Sequence, residues 1–158
     1  MAASSAGSPT SSDRLAVAAL LGREPASDFR VAVRCVDGAP AVIENGPVDR
    51  AGRPFPTRYW LICPELVTAV SRLEAAGGVK RLEEDPAGAA ALVLAHRRHR
   101  ALTGRGVAGN ASLVRAKCLH AHLAFALAEG GSAVGDWISE RIEPTHGHDR
   151  VSPIEVGP

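Results

Sequence analysis

The sequence lacks any apolar run near the roughly 20 residues that a membrane-crossing helix needs. Its early stretch, Leu15 to Leu21, is too short, and Asp13 rather than a basic segment precedes it. Neither a membrane span nor a secretion signal is expected, and the reading is of a cytoplasmic soluble protein. Charge of one sign is lacking too: 18 Lys and Arg stand against 17 Asp and Glu, a formal net charge of +1. That balance gives no sequence-independent pull towards nucleic acid or anionic lipid, so nucleic-acid binding is not expected. Cysteine is scarce, with three residues (Cys35, Cys63 and Cys118) far apart and no CxxC pair. An odd count in a reducing compartment argues against a disulfide framework and leaves metal binding, catalysis or packing.

A chain of 158 residues fits one domain and can bury a core without staples. Residues 1–12, rich in Ser, Ala and Gly, read as a disordered tail, residues 13–142 as one α+β domain, and residues 143–158 as a flexible tail. Asp13 can cap a short helix that Gly22 stops. Phe29, Val31, Val33 and Cys35 alternate on one face of a strand, Asp37-Gly38 turns, and Ala41 to Glu44 returns as a hairpin. Thr57 to Cys63, with large side chains on both faces, is expected to be the central strand.

Pro64 then opens a helix, so Cys63 falls at a strand-to-helix junction, and Gly77-Gly78 ends that helix. Asp85-Pro86 starts another, with Leu92, Val93 and His96 on one stripe and a basic end at Arg97-Arg98-His99-Arg100. A helix capped by Ser112 and running to Glu129 is apolar nearly all round beyond Lys117 and is expected to be central. A short helix around Asp136 to Arg141 completes a small antiparallel sheet of about three strands packed on four to five helices.

On a helix, Cys118 and His122 lie four apart and share a face, within reach of one ion at the roughly 2.0 to 2.3 Å that zinc asks of N and S ligands. With Cys35 and Cys63 they form a candidate shell of three cysteines and one histidine, His96 and His120 being alternate ligands. A thiol at a helix N-terminus is also a candidate nucleophile. Cys63 or Cys118 would then attack, with His120 or His122 as base. The phosphatase pattern of a cysteine followed by arginine six positions on is absent, because Ala41, Ala69 and Ala124 stand there. Gly104 to Gly109 matches GxGxxG without a preceding strand and reads as a hinge, or as a phosphate-holding loop with Arg105 at the next helix. His146-Gly147-His148 reads as part of the mobile tail rather than as a chelating pair.

Arg34-Cys35, Gly38-Ala39-Pro40, the run Pro54 to Pro64, Ala69 to Glu74, Ala95-His96 and Lys117-Cys118-Leu119-His120-Ala121-His122 together resemble family 501 of the domains of unknown function. The resemblance spans about Leu21 to Trp137. It implies a small bacterial protein of a kind common in actinobacteria. Family genes often lie near those for enolase, a septum protein of the cell-division machinery and an exopolyphosphatase-like phosphatase, which implies a pathway link to cell division or polyphosphate. The chain departs from the family pattern at His99, at Ser132-Ala133 and in the loop 103–109.

Because the matching runs contain all three cysteines and His122, the resemblance favours a common site, with zinc or an iron-sulfur cluster as cofactor. The leading expectation is a metal- or cluster-bearing accessory or regulatory domain. The alternatives are a cysteine- and histidine-dependent hydrolase or transferase acting on a phosphorylated or activated acyl substrate, and an interaction module without chemistry.

Overall fold

The computed structural model describes residues 8–142. The two expected tails therefore fall largely outside the described residues. Helix α1 (Ser11–Leu21) begins three residues before the start that a cap at Asp13 predicts. Thr10 is its N-cap, Asp13 closes a capping box with it, and Gly22 (φ 72) ends it in the left-handed region.

Strands β1 (Phe29–Arg34), β2 (Pro40–Asn45) and β3 (Tyr59–Leu61) form one antiparallel sheet in the order β1-β2-β3. The central strand is thus β2, not the Tyr59 segment. Each strand pairs with its neighbour in sequence, so the middle strand of the chain is the middle of the sheet. Ala41, Val42 and Ile43 are fully buried there.

β1 does not keep the single face that its alternation predicts. Val31 pairs with Ile43 but Val33 pairs with the very next residue, Val42, so two positions of β1 oppose one of β2 in a bulge. The extra residue rotates the later part of the strand to the other side. Phe29 and Val31 pack with Val17 of α1, Ile43 and Ile62 in a small core, whereas Val33 and Cys35 enter the large core. The sheet is therefore covered by α1 on one side and by the remaining helices on the other.

Those helices are α2 (Pro64–Ala75), α3 (Gly78–Glu84), α4 (Pro86–Thr103), α5 (Leu119–Ala128) and α6 (Ala133–Ser139), with a 3-10 turn at Val107–Gly109. With α1 they make six α-helices among the described residues. α3 is the one that the sequence reading passes over. α5 is buried on nearly every side, as its apolar circumference predicts, and Leu119, Ala124 and Phe125 are wholly inaccessible. No described helix is long and apolar enough to cross a membrane.

α5 is shorter than expected, and the difference bears on the chemistry. Residues 112–118 are irregular because their backbone groups find other partners. Asn110 Oδ1 accepts from the Ser112 amide at 3.1 Å, and Ser112 Oγ caps nothing longer than a turn, accepting from Val114 at 3.3 Å. Glu83 accepts from the Ala116 amide at 3.0 Å, and the Arg115 carbonyl accepts from Asn110 Nδ2 at 2.7 Å. Side chains that offer the backbone such alternatives compete with helix formation.

Candidate functional site

Cys35 lies just past β1 and Cys63 is the N-cap of α2; both are buried, at 6% and 1% exposure. The bulge in β1 turns Cys35 towards Cys63, and their thiols are hydrogen-bonded. Burial, reinforced by the neighbouring Cys63, pushes the Cys35 thiol up to about 12. A desolvated thiol of that kind is a poor thiolate and hence a poor nucleophile.

Cys118 is the N-cap of α5, with extended φ of −157°, not a helical residue. The i,i+4 geometry that would pair it with His122 does not apply at a non-helical position. Its Sγ lies instead 3.6 Å from Nδ1 of His120, in the first turn. The same Nδ1 is 3.3 Å from Oε1 of Glu74 on α2. Ligand-type atoms of Glu74, Cys118 and His120 all fall within 4.8 Å of one another.

The outer nitrogen of His120 is also held. Nε2 is 3.2 Å from the Val67 carbonyl and 3.1 Å from Ser71 Oγ. A carbonyl only accepts, so Nε2 carries hydrogen and the electron pair available for coordination is on Nδ1. Glu74 is held from the other side, its Oε1 accepting from the Leu119 amide at 2.7 Å. The hydrogen bond to Cys118, with the charges of Cys118 and Glu74, pushes His120 up to about 9. A positive charge is favoured at Nδ1, and in the absence of an ion a proton supplies it.

His122 points away from this group. It is 1% exposed, stacks edge-on to His96 with ring centroids 5.1 Å apart, and neither ring nitrogen has a hydrogen-bond partner. Desolvation, with lesser repulsion from His96 and His99, holds it down at about 3, so it is a neutral imidazole. His96 is fully used: Nε2 donates to the Arg115 carbonyl at 2.8 Å and Nδ1 accepts from the Val107 amide at 3.1 Å. It fastens the irregular segment and the 3-10 turn to α4. His99, also buried, donates from Nδ1 to the Arg105 carbonyl at 2.6 Å. Burial lowers the pKa of both.

The four residues expected to share one shell are thus divided among three places. Cys35 and Cys63 pair, Cys118 joins His120 and Glu74, and His122 joins His96 and His99. Among the described residues, no convergent group of three or more candidate ligands includes Cys35, Cys63 or His122. Of the alternates, His120 is in the group and His96 is not. Glu74 is not among the expected ligands, since a charged residue beside Leu73 on a helix reads as solvent-facing. The signal it does give is its place in the run Ala69 to Glu74. The loop 103–109 does not lead into a helix N-terminus, because α5 begins at Leu119.

No curated protein and no solved structure matches the chain. A family model described as "Protein of unknown function (DUF501)" matches residues 31–103 and 93–140, which include Cys35, Cys63, Glu74, Cys118 and His120, and the chain belongs to that family.

Proposed function

We propose that the protein is a metal-binding accessory domain whose ion is held between α2 and the start of α5 by Glu74, Cys118 and His120. The observation that carries this reading is the spacing of the three side chains. In a tetrahedral zinc site, sulfur at about 2.3 Å and nitrogen at about 2.0 Å from the ion lie about 3.5 Å apart, and nitrogen and oxygen about 3.3 Å apart. The corresponding separations here are 3.6 Å and 3.3 Å. Ligating histidines ordinarily donate their other N–H to a carbonyl or carboxylate, which is what Nε2 does towards Val67.

Three protein ligands leave a fourth position for water or a substrate atom, the pattern of zinc sites that do chemistry rather than of closed structural ones. An iron-sulfur cluster asks for several thiolates, and one cysteine enters the group. Zinc is the better candidate. Cobalt substitution tests the ligand set directly: a thiolate-to-cobalt charge-transfer band should appear in the wild type and in Cys35→Ser and Cys63→Ser, and be missing in Cys118→Ser. A band that survives in Cys118→Ser overturns the assignment.

The contact between Cys118 Sγ and His120 Nδ1 also supports a second reading, a metal-free cysteine and histidine pair in which Cys118 is the nucleophile. It requires that Cys118 react fastest in protein stripped of metal, and that added zinc leave the rate unchanged.

A further inference from the structure

Away from that group, a solvent-facing cavity of about 500 Å³ opens beside the sheet, its lining including Arg14, Asp28, Arg30, Glu44, Asn45 and Arg58. Arg30 and Glu44 are direct cross-strand partners, and Arg58 precedes Tyr59, which pairs with Glu44 on the other side. Both carboxylate oxygens of Glu44 are taken. Oε1 accepts from Arg58 Nε at 3.0 Å and Oε2 accepts from Arg30. The carboxylate is 13% exposed, whereas the Arg30 and Arg58 side chains are 38% and 30% exposed.

Glu44 therefore fixes two guanidinium groups by one edge and leaves their remaining N–H donors uncommitted. Both Nη groups of Arg58 and Nη1 of Arg30 make no hydrogen bond among the described residues. The side chain of Arg14, on α1, makes no hydrogen bond or ion pair among them either. Glu44 offsets one of its two arginines, and Asp28 is the one further acid in the described lining, so the cavity keeps an excess of positive charge.

We propose that this cavity binds the phosphate group of a small phosphorylated molecule through Arg14, Arg30 and Arg58. A phosphate monoester has three terminal acceptor oxygens and can meet three guanidinium groups at once, whereas a carboxylate has two oxygens to share among the three. The cavity is larger than a bare ion needs and lies within the roughly 300 to 1,000 Å³ of small-molecule sites, so an organic portion fits beside the phosphate. Glu44 acts as a positioning residue for two of the arginines. The proposal stands independently of the metal reading.

Amide shifts of the full chain, titrated at low ionic strength with inorganic phosphate, glycerol 3-phosphate and acetate in turn, test it. Both phosphate probes should saturate and move the Asn45 and Gly46 amides, and acetate should not. Arg14→Gln should weaken both by about tenfold, as loss of one charge-assisted contact implies. Asp28→Asn should tighten them, and Arg81→Gln, on an exposed position of α3, should change nothing. Arg14 is exposed, so its substitution leaves the fold intact. Failure of either phosphate probe to saturate, acetate binding as tightly, or Arg81→Gln weakening binding as much as Arg14→Gln overturns the proposal.

Discussion

Replacing His122 with leucine should stabilise the protein near neutral pH and flatten its response to acid. Both ring nitrogens are buried without a partner, and an unsatisfied buried polar group costs about 1 to 3 kcal/mol. Leucine has a similar volume and no polar atom, so a gain of about 1 to 2 kcal/mol at neutral pH is expected. The acid response is separable from that gain. His122 sits at about 3 in the folded protein against an ordinary 6.5, so on acidification the unfolded chain takes up the proton first. The stability contributed by the neutral ring is fully present above about pH 6.5 and is lost, at up to about 1.4 kcal/mol per pH unit, as pH falls towards 3. Between pH 7 and pH 5 this residue alone should cost up to about 2 kcal/mol. Urea unfolding of the wild type and His122→Leu at both pH values measures the difference, with His96 and His99 common to the two proteins. Equal losses on acidification, or a variant less stable than the wild type at pH 7, would refute the reasoning.

Gly106 should not tolerate a side chain. A Cβ there would come within 2.2 Å of the Asn110 carbonyl oxygen and 3.1 Å of His96 Nδ1, so Gly106→Ala should cost at least about 2 kcal/mol in denaturant unfolding, as overpacking does. An unchanged midpoint would show that the turn relaxes freely. The thiols should separate by accessibility and charge. In native protein freed of metal, iodoacetamide should modify Cys118 well before Cys35 or Cys63, because Cys118 is half-buried beside a protonated His120 while the other two are buried. Under the metal reading, zinc should slow that reaction, and mass spectrometry of the alkylated peptides would show whether it does.

Where local pattern decides the structure, the sequence is readable. The hairpin follows from alternation around Asp37-Gly38, the entry to α2 from Cys63-Pro64, and the entry to α4 from Asp85-Pro86, whose Asp85 side chain caps the Ala87 amide. Where tertiary partners decide it, the pattern misleads. The bulge in β1 is a single extra residue with no compositional mark, yet it moves Cys35 from one side of the sheet to the other. Residues 112–118 have a helix-compatible composition, but Glu83, Asn110 and His96 hold them out of a helix from elsewhere in the chain. That shift makes Cys118 a cap instead of an interior residue, and with it the partner changes from His122 to His120. Glu74 shows the same limit, since its role depends on α2 lying against the start of α5 and not on its own neighbours in sequence.

The most direct test is a competition titration of zinc against a chromophoric chelator, with metal content confirmed by elemental analysis. The wild type, Cys35→Ser, Cys63→Ser and His122→Leu should each bind one zinc with the same affinity. Cys118→Ser, His120→Ala and Glu74→Gln should each lose at least about tenfold. Zinc binding that survives in Cys118→Ser and His120→Ala but fails in Cys35→Ser or Cys63→Ser would contradict the assignment, as would a wild type that binds none.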